Sequence, residues 1–152
     1  MAKKALYVDS TNTPIDIPGY EKWVVVRNYD EFTEYIENNG IPDYISFEHD
    51  LAEEHVIDFV NNQLQGIEAI NYSTFKEKTG YDCALWLCNY ISEQHEQGNN
   101  IKLNAVGVHS NNPGGTKNIL HCINNYKAYK GWKPDAFELK PKVNEVKNKK
   151  IE

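Results

Sequence analysis

Short apolar runs alternate with longer stretches of helical period along this chain, and that alternation constrains its fold more than any other feature. The runs are Lys4 to Val8, Trp23 to Val26, Tyr44 to Phe47 and Ile101 to Val108, with Phe137-Glu138-Leu139 as a short last one. Each has strand length, and most are enriched in β-branched or aromatic residues. The segments between them carry helix punctuation. Asn28, with Glu31 three residues on, starts one helix whose stripe is Phe32, Tyr35 and Ile36, and Gly40 and Pro42 end it. Thr79-Gly80-Tyr81-Asp82 starts a second, with Tyr81, Ala84, Leu85, Cys88 and Ile91 on one stripe. A third is expected from about Thr116 to Tyr129, with Ile119, Leu120 and Ile123 inward. The pattern predicts an α/β fold: a three-layer domain with right-handed crossovers and a mainly parallel sheet of four to five strands.

Residues 1–139 are expected to form this one domain, and 140–152 a basic C-terminal tail with a solvated end. Two stretches resist the pattern. The connection Ser10 to Lys22, with Pro14, Pro18 and Gly19, is barely long enough to cross over without a helix. The segment 53–78 is read as an insertion, with Val56, Ile57, Phe59 and Val60 starting a short helix and Gly66, Asn71 and Ser73 interrupting anything longer. An insertion of this length above a ligand edge is either a lid or wall, or a peripheral packed excursion.

Composition excludes several classes of function. The net charge of −6 hides a stronger asymmetry: without seven lysines and three glutamates near the ends, nine basic residues face nineteen acidic ones, a body charge of −10. Arg27 is the sole arginine. Such a surface repels a long phosphate backbone, so duplex nucleic acid is not an expected partner, whereas a small phosphorylated ligand remains compatible. No run approaches a membrane span, and the start lacks a secretory signal, so the cytoplasm is the expected location. Cys83, Cys88 and Cys122, an odd number without a Cys-x-x-Cys spacing, read as reduced thiols. A homo-oligomer is compatible with all of this.

Three of the apolar runs end in polar clusters: Asp9-Ser10, Glu48-His49-Asp50, and His109-Ser110-Asn111-Asn112-Pro113-Gly114-Gly115. If the runs are neighbouring parallel strands, these clusters meet at the carboxyl edge of the sheet, where open α/β sheets bind ligands. Two histidines at such an edge suit phosphodiester chemistry, one deprotonating the attacking group and the other protonating the leaving oxygen. His49 and His109 are the expected acid/base pair, with Asp50 and Asp9 orienting them. Ser110, Asn112, Gly114, Gly115 and Thr116, at a glycine-rich turn opening a helix, together with Glu48, are the expected ligand contacts. No cofactor is required. Asp9, Glu48 and Asp50 form an oxygen set that also suits magnesium or manganese. His55, His95 and His121 read as structural.

These motifs resemble the cyclic-phosphate processing receiver domain, a receiver-like α/β family of bacteria and phages. The resemblance rests on Val8-Asp9-Ser10 with Asn12 and Pro14, on Ile45-Ser46-Phe47-Glu48-His49-Asp50-Leu51, on Thr79-Gly80-Tyr81-Asp82, and on His109-Ser110-Asn111-Asn112-Pro113-Gly114-Gly115-Thr116. It runs from about Ala5 to Ile119. Ser10 stands where the family has a second Asp, Asn12 where an Arg is usual, and Glu48 where an Asp is usual. The resemblance implies a receiver-like (flavodoxin-like), doubly wound sheet and the processing of small cyclic phosphates or cyclic nucleotide signals; phosphodiester hydrolysis is the reaction expected from the two histidines themselves. The rival reading is a non-catalytic sponge for a nucleotide-derived immune or messenger signal, as a phage would deploy inside its host.

Overall fold

A computed structural model describes residues 2–139; the expected basic tail at 140–152 lies outside the described residues. Five strands form one sheet: β1 (Ala5–Val8), β2 (Val24–Val26), β3 (Tyr44–Phe47), β4 (Ala105–Val108) and β5 (Phe137–Glu138). They lie in the order β2-β1-β3-β4-β5, and every neighbouring pair is parallel. This is the flavodoxin-like order, with the direction of winding reversing at β1.

The helices are α1 (Tyr29–Asn39), α2 (Glu53–Leu64), α3 (Gly80–Glu96) and α4 (Pro113–Tyr129), with a 3-10 turn at Tyr72–Thr74. From β2 onward every crossover runs the same way across the sheet, so right-handed connections put α1, α3 and α4 on a single face. The core agrees: Leu6, Val8, Ile45, Phe47, Val106 and Val108 from the strands pack with Phe32, Ile36, Leu87, Ile91, Ile119 and Ile123 from the helices. Only the β1-to-β2 connection runs the other way. It is the Ser10–Lys22 stretch, and among the described residues it supplies the layer on the opposite face without a helix. There the Trp23 indole donates to the Ile15 carbonyl at 2.9 Å, and Tyr20 packs edge-on against Tyr44.

Local differences from the sequence reading have local causes. α4 begins at Pro113 rather than near Thr116. Asn112 caps it by accepting the Gly115 N–H, and proline is suited to the first helical position because no N–H is needed there. In α3 the buried stripe runs through Ala84, Leu87, Cys88 and Ile91, a 3.6-residue period that leaves Leu85 exposed. The helix in the insertion is three full turns long, yet its apolar residues Val56, Ile57, Val60 and Leu64 face solvent and only His55 is buried. No helix among the described residues is long and apolar enough to cross a membrane.

Candidate functional site

The sheet's hydrogen bonding continues one residue past three adjacent strands. Asp9 N–H donates to the Val26 carbonyl at 3.1 Å, Glu48 N–H to Val8 at 2.8 Å, and His109 N–H to Phe47 at 2.9 Å. Side chains alternate across a pleated sheet, so Asp9, Glu48 and His109 fall side by side at the carboxyl edge, on the face that also carries Tyr7, Ser46 and Gly107. One ligand atom of each lies within 4.8 Å of those of the other two. His109 Nε2 is 3.0 Å from Asp9 Oδ2 and Nδ1 is 2.6 Å from Ser46 Oγ, while the ring stacks on Tyr7 with centroids 4.2 Å apart. Asp9 Oδ1 accepts the N–H groups of Thr11 and Asn12, and Oδ2 also takes the Asn12 amide at 3.3 Å. The Asp9 carboxylate can only accept, so the Nε2 N–H of His109 donates to it, while the Ser46 hydroxyl meets Nδ1.

The two carboxyls of the cluster are driven in opposite directions. Burial opposes ionisation of Asp9, but hydrogen bonds from His109, Asn12 and Thr11 and the charge of His109 outweigh it and hold the group at about 2. Burial raises Glu48, the charge of Asp9 adds to the rise, and the Ser110 hydroxyl and His109 only partly offset it. Adjacent carboxyls with diverging affinities for a proton divide the roles of acid and base. Tyr7 is pushed up to about 12 by burial and by the neighbouring charges of Asp9 and Glu48. At the rim Arg27 follows β2, and its Nη1 donates to the carbonyls of Asp9 at 3.0 Å and Asn12 at 2.7 Å.

Donor type and spacing bring Asp9, Glu48 and His109 within reach of one divalent ion; Asp50, expected in such a set, is not a member. The hydrogen bonding fits a resident cation poorly. A carboxylate offers about four lone-pair directions, and those of Asp9 already receive four donors. An ion here has to displace the His109 N–H or the Asn12 amide.

His49 belongs to a second network. Next to Glu48 in sequence, it points to the opposite face and is 1% exposed. Its Nδ1 is 2.7 Å from Asp50 Oδ1 and its Nε2 2.9 Å from the Tyr72 hydroxyl, which in turn accepts the Asn118 amide at 2.8 Å. Asn112 donates to Asp50 Oδ1 at 3.2 Å. The expectation of two imidazoles facing each other across one anion is therefore corrected: Asp9 and His109 form one pair, His49 and Asp50 another, and both nitrogens of His49 are occupied inside the protein. The networks touch through Asp50, whose N–H donates to Glu48 Oε1 at 3.3 Å while its carboxylate accepts the Asn112 amide.

The glycine turn also differs from the expected phosphate cradle. The Gly115 N–H goes to Asn112 Oδ1 at 3.0 Å and that of Thr116 to the Asn112 carbonyl at 2.8 Å. The glycines serve close packing instead: a Cβ on Gly115 would collide with the His49 ring, and one on Gly114 with the Glu68 carbonyl. Thr116 is buried, and its hydroxyl has no hydrogen-bond partner among the described residues. Gly80 fills the same packing role under the Glu48 carbonyl, while Thr79 and Asp82 cap α3 reciprocally. His55 is structural, as expected: Nδ1 accepts the N–H groups of Leu51 and Ala52, and Nε2 meets the Glu77 carbonyl at 2.9 Å.

Sequence reasoning missed Arg27, Ser46, Tyr7 and Tyr72. Two of these carried a signal. Arg27 is the sole arginine and follows a strand at the ligand edge, and Ser46, two residues before Glu48, shares its face.

No curated protein matches the chain, and no solved structure does. The sequence does match the description "Cyclic-phosphate processing Receiver domain" over residues 4–125, a span that contains every strand but β5 and the whole of the cluster. The five-stranded parallel order is that of a receiver-like domain, and the chain belongs to the cyclic-phosphate processing receiver domain family.

Proposed function

We propose that this chain hydrolyses small cyclic phosphates, cyclic nucleotides among them, at the cluster of Asp9, Glu48 and His109. The observation carrying the reading is the imidazole of His109, held by Asp9 beside a carboxyl that burial keeps protonated to higher pH. In this reaction water attacks phosphorus as one ester P–O bond of the ring breaks. His109 takes the proton from the water at Nδ1, where the water displaces the Ser46 hydroxyl, and Asp9 at Nε2 stabilises the imidazolium that forms. Glu48 gives its proton to the departing oxygen, so the products are a phosphomonoester and a free hydroxyl. Arg27 offers the remaining N–H groups of its guanidinium to the phosphoryl oxygens, a role for which its planar fork is suited. No step requires a metal. Buried His49 with Asp50, Tyr72 and Asn112 positions the loop that carries Glu48.

The test is incubation with 2′,3′-cyclic and 3′,5′-cyclic mononucleotides and with cyclic di- and trinucleotides, followed by mass spectrometry. One of these substrates should gain a water, in the presence of EDTA as well, and His109→Ala should abolish the product. Recovery of a bound ligand intact from the wild type would replace hydrolysis with sequestration.

A further inference from the structure

The insertion frames a cavity that the chemistry above leaves unused. α2 and the chain after it meet the first turn of α4 around a space of about 250 Å³, lined by Phe59, Asn62, Gln63, Ile67, Ile70 and Pro113 among others. Its walls are held from several sides. The Glu68 backbone passes against Gly114, where no side chain would fit, and Lys117 pairs with the Glu68 carboxylate at 2.9 Å. Tyr72 ties the far end of the insertion to His49 and Asn118. Asn112, which also lines the space, donates its side-chain amide to Asp50 at 3.2 Å, and the Asp50 N–H donates to Glu48 at 3.3 Å. The cavity thus opens two hydrogen bonds away from the reactive carboxyl.

Its chemistry is not that of a phosphate site. Among the described residues no lysine or arginine lines it, Lys117 is paired with Glu68, and the Gly115 and Thr116 N–H groups at the helix start are taken by Asn112. What remains is an apolar surface from Phe59, Ile67, Ile70 and Pro113, edged by the carboxamides of Asn62 and Gln63. The Asn62 amide nitrogen donates to Asp58 at 3.1 Å, which leaves its oxygen as an acceptor. The volume is below the roughly 300–1,000 Å³ of pockets for drug-sized ligands and on the scale of one ring system. A flat, uncharged heterocycle with a hydrogen-bonding edge meets all of these conditions.

We propose that this cavity receives the nucleobase of a nucleoside cyclic phosphate, so that the insertion selects substrates bearing a base. The inference rests on the hydrolytic reading for where the phosphate lies. It is tested by comparing a nucleoside 2′,3′-cyclic phosphate with methyl riboside 2′,3′-cyclic phosphate, which lacks the base. The nucleoside substrate should be preferred by about tenfold or more in kcat/KM. Phe59→Ala and Asn62→Ala, changes on a helix outside the core, should each reduce that preference several-fold with the circular dichroism spectrum unchanged. Equal kcat/KM for the two substrates, or a preference untouched by both substitutions, overturns the inference while leaving hydrolysis standing. If neither substrate is consumed, hydrolysis falls and titration with adenosine or guanosine decides the cavity alone. Amide shifts at Phe59, Asn62 and Ile70 support it, and shifts elsewhere or none overturn it.

Discussion

His109 and Asp9 are 100 positions apart in the chain, yet a 3.0 Å hydrogen bond joins their side chains across the end of β3. The bond exists because β1 and β4 flank β3 in the same register and because both residues sit one step past their strands. It fixes which ring nitrogen of His109 carries the proton. Asp9→Asn keeps the size and the acceptor for the Thr11 and Asn12 N–H groups but presents an amide N–H to Nε2. Turnover of a cyclic phosphate should fall about a hundredfold or more, with the melting temperature changed far less than the rate. Parallel assays of rate and thermal unfolding check this.

The same carboxylate predicts how stability depends on pH. The folded value of Asp9 is depressed from 3.8 to about 2, so its contribution is present above the unfolded value and is lost as pH falls through the folded one. A shift of that size corresponds to at most about 2 kcal/mol. Urea unfolding of the wild type and Asp9→Asn from pH 5 down to pH 2 should show the gap between them closing across that window.

Glu48 carries the opposite sign. Its folded value is raised, chiefly by burial, so its ionisation destabilises the fold as pH rises above the unfolded value of 4.5. Glu48→Gln retains an oxygen for the His49 and Asp50 N–H groups. It should raise the melting temperature by a few degrees at neutral pH and leave it nearly unchanged at pH 4, while removing the proposed acid and lowering turnover. Thermal melts at both pH values measure the difference.

Gly115→Ala should destabilise the fold, although glycine to alanine inside a helix ordinarily helps by up to about 1 kcal/mol. The new methyl meets the buried His49 ring, and overpacking of this kind costs about 1–3 kcal/mol. Denaturant unfolding gives the magnitude, and the imidazole resonances of His49 should move with it.

Arg27→Ala should raise KM for a cyclic phosphate by about tenfold with a smaller effect on kcat, because the guanidinium serves ground state and transition state alike. Arg27→Lys should recover little, since an ammonium cannot hold the Asp9 and Asn12 carbonyls and fork onto a phosphate at once. Steady-state kinetics on both variants separate the two parameters. In the family pattern an arginine follows β1, where this chain has Asn12, and Arg27 reaches the same edge from β2.

Much of this protein is legible from its sequence because the signals are local. Strand length, apolar period, the Asn28 and Thr79 caps and the polar residues closing each apolar run all act within a few residues. They suffice for an α/β fold with Asp9, Glu48, His49 and His109 at one sheet edge. The partition of those residues was not legible, because it depends on register between strands far apart in the chain. Chemical likeness pairs the two histidines, whereas the pleat puts Glu48 beside His109 and turns His49 to the other side. Likewise, the glycine turn reads as an anion cradle until Asn112 takes its N–H groups and His49 and Glu68 press against its glycines. The insertion's cavity needed the fold as well, for its walls come from segments that touch only after β3 and β4 are paired. Local chemistry is written residue by residue, but which groups face one another is a property of the assembled sheet.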